Sequence, residues 1–361
     1  MNSRSDDPEQ PVTGRSVRAP VKITDVTGRS VRAPVKITDV AALAGVAPMT
    51  VSRVINTPDR VLPETAARVR AAIDKLGYVP NLIAGGLSSR RSRMVAAVVP
   101  TIAHPMFAGL IQSFTDSLRV AGYEVMLSLS GYGEHDKEAL LRAVLGRRPD
   151  ALLIAGAAHT PGAFQMITDA QIPVVEIWDV SRRPIDMLVG FDHEEVGATV
   201  AQFFLSKGHM RFAMISADDS RALMRTYAFA AAVRLAGGTI VAESVIPAPS
   251  TIMAGRHALR GMLTAVTQPT ALFCSSDLLA FGAITEARLH GLAIPDSLSV
   301  CGFGNFELSA ASEPAFTTVN VEGAETGQTA AGFLLQRLTG KGSRAEGQIH
   351  VPFRIVERAS T

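Results

Sequence analysis

The sequence predicts a small all-α head, a short linker, and a larger α/β body of two doubly wound parallel-sheet lobes. Three observations carry this. Apolar residues recur at helical spacing between residues 38 and 76. From Met94 onward, short apolar runs alternate with helical stretches, and the same rhythm restarts at Arg211. Charge is split as well: residues 1–93 hold 15 Lys/Arg against 8 Asp/Glu, whereas residues 94–361 hold 20 against 25. A basic head on a mildly acidic body is the footprint expected when only the head meets a polyanion, although a solvated basic tail gives the same count.

Composition excludes several classes. With 361 residues, 47% of them apolar, the chain can bury more than one core. No stretch approaches the roughly 20 apolar residues of a membrane helix, and Met1 to Pro11 is polar and acidic, unlike a signal peptide. Cys274 and Cys301 have no metal-ligand or disulfide spacing and sit in apolar runs, so buried free thiols are expected. The expectation is a cytoplasmic protein without metal or cofactor.

Residues 12–25 (VTGRSVRAPVKITD) recur unchanged as residues 26–39, and only the second copy continues into a helical pattern. Two identical copies do not make a repeat fold, which needs several diverged units sharing a core. Residues 1–34 are therefore read as a disordered arm whose Arg15, Arg18, Arg29 and Arg32 stay solvated or touch phosphates nonspecifically.

The head spans residues 35–80. Thr38 is a plausible N-cap for a first helix with Val40, Leu43 and Ala44 on its apolar stripe, and Gly45 ends it. Pro48 suits the first position of a second helix, where a missing N–H costs nothing; Val51, Val54 and Ile55 form its inner face. A third helix opens at Pro63, turns Val69, Ala72, Ile73 and Leu76 inward, and closes at Gly77. Two short helices joined by a glycine turn and braced by a third make either a helix-turn-helix module or a generic helical hairpin. In the first case Pro48, Met49, Thr50, Ser52, Arg53 and Asn56 face away from the core toward DNA.

The run DVAALAGVAPMTVSRVIN, then RV, LGYVPN and a small-residue linker, resembles the LacI family of bacterial repressors. The resemblance extends from Val35 to Thr361. It implies double-stranded operator DNA, palindromic in form, as a partner. Pro48 and Met49 then read bases, and Thr50, Ser52 and Arg53 contact phosphates and bases. Thr38, Asn56 and Tyr78 join the DNA-binding set. Residues 81–93 become a hinge, with Asn81, Ala84 and Leu87 contacting the minor groove and Leu87 wedged into a base step. Gly85 and Gly86 stand where the family usually carries longer side chains, which predicts a hinge helix unformed off DNA.

The body, residues 94–361, shows the strand-like runs MVAAVVP, YEVMLSLS, DALLIAG, IPVVEIW and MLVGFD, then RFAMISA, TIVAESV, TALFCSS and LSVCGFG. Apolar runs of this kind suit parallel strands covered on both faces. Two such lobes place strand ends across a cleft, where ligands of open α/β sheets bind. The resemblance makes this a periplasmic-binding-protein-like effector domain and a homodimer, since the apolar heptads of tetrameric relatives are absent. An enzyme is the rival, but no G-x-S-x-G, Walker A, HExxH or complete G-x-G-x-x-G run occurs; Gly302-Phe303-Gly304 lacks the third glycine.

Residues after the strands should line the cleft: Ile102, Phe107, Tyr132, His159, Thr160, Arg225, Ser276, Asp277, Gly304 and Asn305. The resemblance aligns Arg225 with an arginine that holds sugar hydroxyls or a carboxylate, though Ala228 replaces the usual glycine three residues on. Asp277 matches a family acid that fixes the cleft loop, with Ser276 in place of Asn. Many relatives that bind neutral sugars carry Asp where Gly304 stands. Its absence beside Arg225 favours a sugar acid such as gluconate. The loops at Tyr132-Gly133, Ala158 to Phe164, Ile172 to Asp179 and Val189 to Asp192 are similar to the gluconate-repressor branch, and they can equally reflect lineage alone. Whether the effector releases or assembles the DNA complex stays open here.

Overall fold

A computed structural model describes residues 23–24, 30–31, 35–79, 91–132, 137–156, 159–181, 183–264, 267–340 and 347–361. Within the arm, Ile23–Thr24 pairs antiparallel with Ser30–Val31. The rest of the arm and residues 80–90, with Asn81, Ala84, Gly85, Gly86 and Leu87, lie outside the described residues. The chain divides into two compact units, Met1–Arg90 and Arg91–Thr361. No single helix among the described residues is long and apolar enough to cross a membrane.

In the first unit, α1 (Ile37–Ala44) and α2 (Pro48–Asn56) meet at 101° across a tight turn. Gly45 makes that turn with φ +66°, a left-handed conformation costly to any residue with a Cβ. Pro48 occupies the first turn of α2. A 3-10 turn at Pro58–Arg60 leads to α3 (Pro63–Leu76), which Gly77 ends in the same left-handed conformation. Val40, Ala41, Ala44, Val51, Val54, Ala66, Val69 and Ala72 form the core.

Two expectations for α1 fail. The helix begins before Thr38, because the Asp39 carboxylate accepts from the Lys36 backbone N–H at 2.8 Å and caps the end there. Thr38 is an exposed residue of the first turn rather than the N-cap. Leu43 is 46% exposed, and Ala41 takes the inward position. The small side chain fits because α1 packs closely on both other helices.

The second unit holds two six-stranded sheets. The first runs Gln348–His350, Met187–Gly190, Val174–Ile177, Ala151–Ala155, Met94–Val99, Glu124–Leu129, with every pair parallel. The second runs Phe353–Val356, Thr317–Val321, Ser299–Phe303, Ala271–Cys274, Arg211–Ala217, Thr239–Ile246; only its first pair is antiparallel. All nine strands read from the sequence are present. Three more, Thr317–Val321, Gln348–His350 and Phe353–Val356, escaped that reading. The inner strands are buried along nearly their whole length, as parallel strands under helices on both faces must be.

The chain crosses between lobes three times: after Met187–Gly190, after Thr317–Val321, and at Val351-Pro352 between Gln348–His350 and Phe353–Val356. The second crossing returns helix Gly323–Leu338 to the first lobe, where its Arg337 pairs with Asp186 at 3.0 Å. Three short strands of chain therefore link lobes that are otherwise separate sheets, the arrangement of a hinged pair.

Helix His193–Ser206 lies against helix Ser220–Leu235 so closely that a Cβ at Gly197 would stand 2.0 Å from the Arg225 carbonyl oxygen. Gly197→Ala must push the two helices apart. The expected loss is about 1–3 kcal/mol of unfolding free energy, measured by denaturant titration. An unchanged transition would contradict the close approach.

Candidate functional site

The cleft between the lobes is lined from the carboxyl ends of strands, the loops that follow and the first turns of the next helices. The first lobe contributes His104, Met106, Phe107, Tyr132 and Trp178, and His193 stands at the first crossing. The second lobe contributes Asp219, Arg221, Arg225, Ser250, Ser275, Ser276 and Phe303. The space enclosed, mouth included, is about 500 Å³. This is where open α/β sheets bind ligands, because helix N-termini and unpaired loop groups converge there.

Arg225 is the chemical centre. It is 6% exposed and lies over the Phe303 ring, 3.9 Å from the centroid. One terminal nitrogen donates to His193 Nδ1 at 2.9 Å and the other to the Ser275 carbonyl at 3.0 Å. Its Nε–H is buried with no partner among the described residues. Among the described residues no carboxylate oxygen comes within 4.0 Å of this guanidinium. Burial lowers its pKa to about 10, so the cation persists at neutral pH without a direct counter-charge.

The surroundings hold this cation in place. An arginine can only donate, so His193 Nδ1 accepts and its Nε2–H donates to the Trp178 carbonyl at 2.9 Å. Burial, assisted by Arg225, lowers the His193 pKa to about 4, in keeping with that neutral ring. One helical turn before Arg225, Arg221 pairs with Asp179 of the first lobe at 2.8 Å. Burial pushes the Asp179 carboxyl up, but Arg221 and then His193 outweigh it and hold it below the usual carboxylate range. A second bond between lobes joins His104 Nε2 to Ser276 Oγ at 3.2 Å. Burial, then Arg225, lowers the His104 pKa to about 4.

The two depressed histidines set an acid limit. Each ring resists protonation in the folded chain relative to its ordinary 6.5, so the unfolded chain takes up these protons first. Their contribution to stability is complete above pH 6.5 and declines as the pH falls toward about 4. The thermal midpoint is expected to drop across that window, and His193→Gln to flatten the drop. Identical slopes for the two proteins would remove His193 from the account.

Of the expected cleft residues, Phe107, Tyr132, Arg225 and Ser276 line it. The others are placed elsewhere. His159 is bonded to the buried Glu176 at 2.8 Å, and Thr160 caps helix Pro161–Asp169 while donating to Glu138 at 2.6 Å. Ile102 is half exposed outside the lining. Asp277 is fully buried and ties down the following loop through the Phe306 N–H at 2.8 Å and the Thr318 hydroxyl at 2.5 Å. Burial raises its pKa to about 7 against those bonds. Asn305 bonds Asn320 and Arg358. Gly304 has φ +128°, and a Cβ there would stand 2.5 Å from the Phe306 ring. The missing acid at 304 is thus a backbone requirement of this loop as well as a chemical difference.

Trp178, His193 and Ser250 were not among the cleft residues expected from the sequence, although Trp178 lies within the segment Ile172 to Asp179. Trp178 carried a usable signal, being the single tryptophan and following directly on an apolar strand. His193 carried none, since only the crossing brings it to Arg225.

In the first unit, α2 presents Pro48, Met49, Arg53 and Asn56 as exposed residues, Met49 at 63%, with Thr50 and Ser52 half-buried. The Asn56 amide is folded back on the Ser52 carbonyl at 3.0 Å. Tyr78 is half-buried against the core just beyond α3. Residues 35–79 carry six Lys/Arg and four Asp/Glu, so most of the excess positive charge lies in the arm and linker. A helix that exposes small, apolar and hydroxyl residues with an arginine in its last turn is suited to a major groove.

Known proteins agree with both units. Residues 36–81 match the family described as bacterial regulatory proteins, lacI family, and residues 201–361 match the periplasmic binding protein-like domain. The HTH-type transcriptional regulator GntR of Pseudomonas aeruginosa is 32% identical over 315 residues, spanning 87% of this chain and 92% of that one. A LacI-family transcriptional regulator from Silicibacter pomeroyi superposes with a TM-score of 0.85 at 31% identity, covering 91% of this chain and 99% of that one. The lac repressor dimer, solved bound to operator and the anti-inducer ONPF, gives 0.76 at 25% identity, covering 91% and 99%. Such relatives are regulators and not enzymes. The chain belongs to the LacI family and is a DNA-binding transcriptional regulator.

Proposed function

We propose that the protein is a repressor of sugar-acid catabolism genes, acting as a homodimer on a palindromic operator and released by an aldonate such as D-gluconate. The observation that carries the effector assignment is Arg225. A buried guanidinium with an unpartnered N–H and no carboxylate oxygen within 4.0 Å among the described residues, Asp219 lying farther off in the same cleft, is suited to an anionic oxygen from the ligand. A carboxylate satisfies both the charge and the N–H, whereas a neutral sugar answers only the N–H. Asp219, Tyr132 and Ser250 supply acceptors and hydroxyls for the remaining ligand oxygens. The gluconate-repressor resemblance of the loops and the GntR-named relative support the same class.

Pro48, Met49, Thr50, Ser52, Arg53 and Asn56 of α2 are the DNA contacts in this reading, with Thr38 and Tyr78 beside them and Asn81, Ala84 and Leu87 in the hinge. An effector shifts DNA affinity only if it prefers one lobe arrangement. The cleft groups that bridge the lobes, Asp179–Arg221 and His104–Ser276, are where the ligand exerts that preference.

Calorimetric titration with D-gluconate and D-glucose, followed by operator-binding anisotropy, tests this. Gluconate is expected to bind about 10- to 150-fold more tightly, the range of a hydrogen bond to a charged group, and to weaken operator binding. Equal binding of glucose would overturn the sugar-acid reading. Tighter operator binding with gluconate would overturn release.

A further inference from the structure

We infer that Trp178 is a specificity-determining residue of the cleft, whose indole N–H donates a hydrogen bond to an oxygen of the effector. This rests on the reading of the cleft as a polyhydroxy-acid site, and it adds a contact from the first lobe to the Arg225 contact from the second.

The indole is 1% exposed, yet its Nε1–H has no partner among the described residues, and the ring lines the cleft. Only two other buried side-chain polar atoms among the described residues are unpartnered, His104 Nδ1 and Arg225 Nε, and both belong to residues lining the same cleft. Buried polar atoms without partners are uncommon because each forfeits its bonds to water. Three at one place mark a ligand's position.

Packing alone does not require this side chain. The ring sits edge-on between Phe107, at 5.9 Å and 78°, and Phe191, at 5.5 Å and 89°. A phenylalanine can keep both edge-on contacts without an orphaned donor, with a smaller ring. The same two neighbours hold the indole in one orientation, so its N–H direction is set before any ligand arrives. The backbone is fixed as well: Trp178 has φ +74°, unusual for a bulky residue, and its N–H and carbonyl are bonded to Val189 and His193. A rigid donor-only group accepts an oxygen at one point and rejects an analogue lacking it.

The test uses Trp178→Phe in the full-length protein. D-gluconate is expected to bind about tenfold more weakly by calorimetry. Wild-type affinity in W178F would overturn the inference and leave the Arg225 reading standing. Wild-type protein that binds no D-gluconate would overturn both. Should the variant fail to fold, the wild type still decides: with one tryptophan in the chain, an indole-¹⁵N label gives a single N–H resonance. It is expected to move downfield when gluconate saturates the protein, and an unmoved resonance would overturn the contact.

Discussion

Arg225→Met is expected to weaken D-gluconate binding by at least a hundredfold while changing the stability of the free protein little. The two effects separate because the guanidinium is buried without a direct counter-charge. With ligand present, removing one partner of a buried ion pair costs about 3–5 kcal/mol, which is a factor of a hundred or more in affinity. In the free protein, two opposing changes meet. Methionine relieves the desolvated charge and still packs on Phe303, but it orphans His193 Nδ1 and the Ser275 carbonyl. Arg225→Lys keeps the charge and loses the planar fork, so it should fall between the two. In an operator assay R225M should stay bound at gluconate concentrations that release the wild type. Unaltered gluconate affinity in R225M would remove this residue, and with it the main argument for an anionic effector.

The second large effect is expected on DNA. Arg53→Ala should weaken operator binding about 10- to 150-fold if the guanidinium reads a guanine, and relax specificity at that base pair. If Arg53 instead holds a phosphate, the loss should be uniform across sequences and the slope of log K against log salt should fall by about 1. Arg53 is exposed near the end of α2 and contributes nothing to the head's core, so the melting of the head should not change. Undiminished affinity at all operators would place Arg53 off the interface. Since residues 35–79 hold only a small excess of positive charge, the salt dependence of the whole protein should depend strongly on the arm and linker arginines.

The head and the individual strands were readable because local chemistry specifies them. Gly45 and Gly77 are required by left-handed turns, Pro48 by a helix start, and Val51 and Val69 by an inward face at helical spacing. Nine strands announced themselves as short, largely apolar runs. Gln348–His350 did not, because all three of its residues are exposed at a sheet edge and leave no pattern. Thr38 and Leu43 were misassigned because capping by Asp39 and close packing at Ala41 depend on neighbours that a periodicity does not see.

What the sequence by itself determined is the three-helix head and the alternation of strands and helices, with Arg225 picked out as a cleft residue by the family resemblance. What only the tertiary structure decided is which polar side chains remain available to a ligand. His159 and Thr160 follow a strand as a cleft residue should, yet Glu176 and Glu138, which reach them only through folding, engage both. Asp277 is consumed by the loop it anchors, and Gly304 by its own backbone conformation. Trp178 and His193 enter the site because the chain crosses between lobes where their strands end. Hydrogen-bond pairing among distant residues is settled by three-dimensional proximity, and proximity of this kind leaves no period in a single sequence.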